Sequence, residues 1–205
     1  MNIKTKYPFL TDAENRKTFF RRIARYYPTL DPRYKEIERA YDFAKDGFRG
    51  KYREGGDRYF EHIRAVCLFL IVYLRVKDHR LIVALLLHDN VEDLPWWTLE
   101  RIQKEFGDYI ALLVEYMSKP SEEDYPDKTE REAVYHERFR FAPREFFLMK
   151  LCDRLHNILT LGSCPLLKRK RKIEETRKHY LPYAEDHLIL LHELEEAVEE
   201  IEKTY

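Results

Sequence analysis

His88-Asp89 closes a fully apolar run, Leu81 to Leu87, and two more acids, Glu92 and Asp93, follow within a turn. Burying a charge is costly unless a partner or a metal compensates it, so the end of this run reads as the floor of a site. Glu92 lies four residues after His88 and three after Asp89, and Asp93 lies four after Asp89. Those spacings place side chains on one helix face. Adjacent His88 and Asp89 point about 100° apart on a helix. They converge only on an atom held close against it, as a metal ion would be.

A second cluster, Asp153-Arg154-Leu155-His156-Asn157, follows the stretch Phe146 to Leu151. Asp153 and Asn157 are four apart and Thr160 is three further on, so these three share a face. His156 is expected to project away from that face, and His136 and His179 are expected to be no ligands either. His62 is a third piece, opening its own apolar helix directly after a glycine-rich loop. Together His62, His88, Asp89 and Asp153 offer two imidazoles and two carboxylates, a set suited to a divalent ion such as Mn²⁺, Fe²⁺ or Zn²⁺. Four protein ligands leave an octahedral ion two positions for water and a substrate oxygen.

The elements that must position these residues are helical. The chain has 205 residues, 44% of them hydrophobic and 36% charged, which favours amphipathic helices over disorder. Six glycines are too few for a turn-rich β fold. Basic and acidic residues balance at 37 each, so no global field attracts nucleic acid or membrane. Three cysteines, Cys67, Cys152 and Cys164, suggest no disulfide framework. No signal pattern opens the chain and no apolar run approaches the roughly 20 residues of a membrane span, so a cytoplasmic protein is expected.

Capping and breaking signals give about ten helices in one all-α domain, residues 1–205, with its core at about 35–185. Thr11 to Glu14 fits a capping box for a helix to about Tyr27. Asp31-Pro32 opens a second helix, to about Lys45. Residues 47–57 hold four of the six glycines and read as a loop. Helices are then expected over about His62 to Val76, Arg80 to Asp93, Thr98 to Phe106, Asp108 to Met117, Glu130 to Phe141, Pro143 to Leu161, Glu174 to Tyr180, and from Leu191 onward. The five consecutive bases Lys168 to Lys172 read as a solvated helix face. Trp96-Trp97 reads as core packing.

The spaced set His62, His88-Asp89 and Asp153 resembles the HD phosphohydrolase superfamily. The extended strings Leu85 to Asp93 and Lys150 to Asn157 resemble the hydrolase signatures of the RelA/SpoT family, as do Arg53 to His62, Ser118-Lys119, and Glu175-Thr176 leading to Ala184. The resemblance implies an HD-domain helical bundle that hydrolyses the 3′-pyrophosphate of ppGpp or pppGpp to GDP or GTP. It implies Mn²⁺, with Fe²⁺, Zn²⁺ or Co²⁺ as alternatives, on His62, His88, Asp89 and Asp153. It assigns Glu92 and Asp93 as catalytic acids, Arg53 as packing on guanine, and Asn157 and Thr160 as substrate contacts. With only about 20 residues after Ala184, the chain resembles the stand-alone small alarmone hydrolases.

Within the resemblance, Glu54 stands where a basic residue is common, Phe48 where a histidine is usual, and Leu159 where an arginine is common. Glu54 and Leu159 motivate a second reading, an HD phosphohydrolase on NADPH 2′-phosphate, a nucleoside 5′-phosphate or a pyrophosphorylated tRNA 3′ end, the last kept open by the basic run Lys168 to Lys172. A third is a binding module that neutralises a toxin. No membrane partner is expected, and the sequence leaves the oligomeric state open.

Overall fold

The computed structural model describes residues 3–11 and 13–205. Among them the fold is all-α, with thirteen α-helical segments, ten of eight residues or more, and no strand beyond one isolated bridge between Tyr52 and Arg58. After the single turn α1 (Ile3–Lys6), α2 (Arg16–Ile23) starts at a capping box. The Asn15 side chain accepts from the Lys17 and Thr18 amides, and the Thr18 hydroxyl accepts from the Asn15 amide. The box expected at Thr11 to Glu14 includes Asp12, which lies outside the described residues. The amide of Glu14 donates to the Thr11 carbonyl in a turn, so the helix starts later than predicted.

α3 (Pro32–Gly47) opens as expected, Asp31 capping the Arg33 amide ahead of Pro32 in the first turn. α4 (Tyr59–Leu68) passes into a π-helical turn over Phe69–Tyr73. The helix expected from His62 thus starts three residues earlier. α5 (His79–Leu87) and α6 (Asn90–Asp93) follow, then α7 (Leu99–Phe106), capped by Thr98, and α8 (Asp108–Met117). α9 (Lys128–Glu137) tightens into a 3₁₀ turn, Arg138–Phe141, before α10 (Arg144–Leu159). α11 (Leu166–His179) is longer than the expected Glu174 to Tyr180, because Pro165 starts a helix that absorbs the basic run. α12 (Leu181–His187) and α13 (Leu191–Glu202) are the last helices of the described residues.

The long expected helix from Arg80 to Asp93 is broken where the chemistry sits. α5 ends at Leu87 and α6 begins at Asn90. Asp89 takes φ −91° and ψ −5°, in the sparsely populated bridge region where active-site residues are often found. The break gives adjacent His88 and Asp89 freedom to converge that a continuous helix would deny.

α5 is the spine of the core. All seven residues Leu81 to Leu87 are buried, against α3, α4 and α8. Each of its six Leu, Ile and Val side chains contributes roughly 1.5–3 kcal/mol on burial, so the run anchors the floor firmly. α10 packs on α4, α5, α8 and α13. The mutual packing of α4, α5 and α10 brings His62, His88 and Asp153 within reach of one another. Cys67 and Cys152 are free and buried, as small core residues. No helix among the described residues is long and apolar enough to cross a membrane.

Candidate active site

His62 and His88 are almost wholly buried, and their Nε2 atoms face two carboxylates. His62 Nε2 lies 3.3 Å from Asp153 Oδ1 and 3.8 Å from Asp89 Oδ2. His88 Nε2 lies 3.2 Å from Asp89 Oδ1 and 3.8 Å from Asp153 Oδ1. Ligands about 2.1 Å from one ion stand ~3 Å apart at right angles and ~4.2 Å apart across it. The spacings fit a shared divalent cation, and donor atoms of His62, His88 and Asp89 lie within 4.8 Å of one another. His88 Nδ1 is 2.7 Å from the Leu85 carbonyl, which can only accept, so Nδ1 carries a proton and Nε2 is the lone pair of the neutral ring. That Nε2 is buried without a hydrogen-bond partner. An orphaned acceptor between two carboxylates is a seat for a cation, and the residues present fit a His/Asp metal site.

The surrounding charges agree. Burial opposes ionisation of Asp153, but Lys150, His62 and His88 outweigh it and hold its carboxyl well below the usual range. Burial also disfavours a charged His88, yet Asp89 and Asp153 push it up to about 9, so without a cation they favour a proton at Nε2, in the place a metal would take. The site selects for positive charge. Lys150 Nζ lies 3.2 Å from Asp153 Oδ2, and Asn157 Nδ2 donates to Asp153 Oδ1 at 2.7 Å. Tyr59 donates to Asp89 Oδ2 at 3.0 Å. Its ring stacks on Phe48, centroids 4.5 Å apart, so Phe48 supports the residue that orients Asp89.

These donors form the floor of a cavity of about 420 Å³, lined also by Arg53, Glu92, Asp93, Asn157 and Thr160. Each candidate ligand, catalytic acid and substrate contact named from the sequence borders this one volume, apart from the buried His88. Glu92 is the more exposed acid, and the Lys119 amide donates to its Oε1 at 2.9 Å. Arg53 sits in a tight turn, its amide donating to the Asp57 carbonyl. Its guanidinium reaches Thr160 Oγ1 at 3.0 Å and Asn157 Oδ1 at 2.5 Å, joining the three expected substrate contacts. A Cβ on Gly55 would meet Ser163 Oγ at 2.8 Å, so that hydroxyl or the turn must move to admit it, and Gly56 has φ +87°, a left-handed backbone that favours glycine.

The structure corrects three readings. His156 does not project away from the Asp153 face. It is buried, and its Nδ1 lies 2.8 Å from His62 Nδ1. A three-residue step is about 300°, only ~60° from Asp153, so the spacing itself carried the signal. The basic run is not wholly a solvated face. Lys168 and Lys172 line the cavity, paired at 2.8 Å with Glu54 and 2.7 Å with Glu175, while Lys170 and Arg171 face solvent. Their four-residue spacing marks one face of α11. Of the two tryptophans, Trp97 is core but Trp96 is 57% exposed. His136 and His179 stack on each other at 3.9 Å, and neither lines the cavity.

Residues 40–187 match the HD domain family. The chain belongs to the HD domain family. Among curated relatives of this HD domain, the bifunctional (p)ppGpp synthase/hydrolase SpoT of Escherichia coli (strain K12) is 35% identical over 171 residues, 82% of this chain and 24% of that protein. A guanosine-3′,5′-bis(diphosphate) 3′-pyrophosphohydrolase of Aquifex aeolicus (strain VF5) is 37% identical over 151 residues, 73% of this chain and 21% of that protein. The chain thus spans about a quarter of the length of these relatives. A solved metazoan orthologue of SpoT that hydrolyses ppGpp shares the fold, with TM-score 0.69 at 23% identity, covering 80% of this chain and 94% of that one.

Proposed function

We propose that this HD domain is a metal-dependent guanosine-3′,5′-bis(diphosphate) 3′-pyrophosphohydrolase, converting ppGpp or pppGpp to GDP or GTP and pyrophosphate. The observation that carries the reading is the convergence of His62, His88, Asp89 and Asp153 beneath a cavity that Glu92, Asp93 and Arg53 also line. The relatives named as ppGpp hydrolases support the substrate.

The four donors would hold Mn²⁺, and the same set accommodates Fe²⁺, Zn²⁺ or Co²⁺. When bound there, the cation supplies positive charge that polarises a phosphoryl oxygen and makes water acidic enough to react near neutral pH. The protein's own residues do the rest. Glu92 and Asp93 form the acid–base pair. Water oxygen bonds to the phosphorus nearest the ribose, the 3′ oxygen–phosphorus bond breaks, one carboxylate takes the water proton, and the 3′ oxygen leaves with a proton. Arg53 offers a planar guanidinium to the guanine face. Asn157 and Thr160 stand beside it for the ribose and phosphate. Lys119, Lys168 and Lys172 put positive charge on the same cavity, which a substrate with several phosphates requires.

A small nucleotide substrate suits a cytoplasmic single domain centred on residues 35–185, with no membrane or nucleic-acid partner. The test is incubation of the pure chain with ppGpp and Mn²⁺, which should release pyrophosphate and GDP in equal amounts. Glu54 favours a second reading, because its carboxylate sits at the cavity and pairs with Lys168, subtracting one charge from the anion site. Folded, metal-loaded protein that leaves ppGpp intact but cleaves the 2′-phosphate of NADPH or another nucleotide phosphate would move the assignment to that substrate.

A further inference from the structure

His156 is a buried imidazole that the proposed chemistry does not use. It lies one turn beyond Asp153 on α10, and its Nδ1 is 2.8 Å from the Nδ1 of His62, with the rings 4.9 Å apart. Two ring nitrogens at that distance share one proton, so one is an N–H donor and the other a bare acceptor. His62 can present its Nε2 lone pair to a cation only when its own proton is on Nδ1. For His88 that tautomer is set by the Leu85 carbonyl. For His62 the group at Nδ1 is His156.

We infer that His156 is a positioning residue of the metal centre: its Nδ1 accepts the His62 Nδ1 proton and so holds the tautomer and ring orientation that aim His62 Nε2 at Asp89 and Asp153. The inference rests on the metal reading above. The competing arrangement puts the His62 proton on Nε2, facing Asp153 Oδ1 at 3.3 Å, and blocks the cation. The 2.8 Å contact to His156 fits either assignment, but only a His62 bare at Nε2 can hold a cation beside Asp89 and Asp153, so metal binding selects the arrangement in which His156 accepts. His156 must then carry its own proton on Nε2. It borders a second cavity of about 300 Å³, which leaves room for that N–H to meet water. A group that orients a ligating histidine in this way is typically worth about 10–100-fold in metal affinity.

The test is Zn²⁺ affinity of the full chain, measured by competition with a chromophoric chelator, alongside thermal stability without metal. His156→Phe keeps a ring but no acceptor and should weaken Zn²⁺ binding about 10–100-fold. His156→Asn places a carbonyl oxygen near the former Nδ1 and should recover most of that loss. Wild-type affinity in His156→Phe, or an Asn variant no better than Phe at equal stability, overturns the inference while leaving the metal reading intact. A wild-type chain that does not bind Zn²⁺ overturns both. Should His156→Phe fail to fold, nitrogen-15 spectra of the Zn²⁺-loaded wild type decide. A His62 Nδ1 proton coupled across the hydrogen bond to His156 supports the inference, and a His62 Nδ1 without that coupling overturns it.

Discussion

Lys150 Nζ stands 3.2 Å from Asp153 Oδ2, one turn away on α10, and both side chains are almost wholly buried. The lysine is the main cation holding Asp153 ionised. Lys150→Met removes the main counter-charge of a buried carboxylate, which costs about 3–5 kcal/mol in comparable buried pairs. Urea unfolding without metal should show that loss. Saturating Mn²⁺ should restore part of it, because the ion supplies the missing positive charge. A variant as stable as wild type in both conditions contradicts the role.

Asp153 and Glu92 border the same cavity but differ in what they touch. Asp153 lies against both imidazoles, whereas Glu92 accepts from the Lys119 amide. Asp153→Ala should lose metal and most activity. Glu92→Gln should keep metal and slow turnover by about 10²–10⁴-fold, the usual range for general acid–base catalysis. Elemental analysis beside single-turnover rates separates the two. Full metal content in the first variant, or an empty second one, reverses the roles.

Gly55 lets the Arg53 turn press against Ser163. Adding a methyl there puts it 2.8 Å from Ser163 Oγ. Gly55→Ala should displace Arg53 and raise KM several-fold with little change in Tm. Gly55→Ala combined with Ser163→Ala should bring KM back, since the clash partner is gone. An additive loss in the double variant rules out this account.

Arg53 bridges Thr160 and Asn157 on an otherwise exposed turn. Arg53→Ala should act mainly through KM, by about 10–100-fold, the worth of a charged hydrogen-bonding group at ~1.5–3 kcal/mol. Unchanged KM for ppGpp would exclude guanidinium contact with the base.

Glu175 contributes to the acid limb of stability. Burial raises its pKa, but His136, Arg154 and Lys172 outweigh that and hold the carboxyl far below its ordinary value. Arg154 Nη2 lies 2.6 Å from Glu175 Oε1. Because the folded-state pKa is depressed, the unfolded chain binds the extra proton. The stabilisation is complete above the unfolded value of about 4.3 and is lost as pH falls toward the folded one. Glu175→Gln should be less stable at pH 7, by ~2–3 kcal/mol for a charged hydrogen bond. Its loss of stability below pH ~4.5 should be flatter than in wild type. Parallel acid limbs in denaturant titrations would contradict this.

Local relations were legible without coordinates. α3, α7 and α8 begin where Asp31, Thr98 and Gly107-Asp108 predict, because caps and breakers act within a few residues. The joint placement of Asp153, Asn157 and Thr160 followed from helical spacing alone, and Asn157 does hydrogen-bond Asp153. The boundaries that moved lie where non-local packing or an unrecognised cap competed, as at Asn15 for α2 and Pro165 for α11.

Read alone, the amino-acid order determined an all-α chain, the identity of the candidate donors and which of them share a helix face, since side-chain direction repeats every 3.6 residues or so. Tertiary structure alone decided that α4, α5 and α10 meet, that the chain breaks at His88-Asp89, that His156 backs His62, and that Lys168 and Lys172 turn inward. Those outcomes depend on how buried faces pack across long sequence separations, and no local period encodes that.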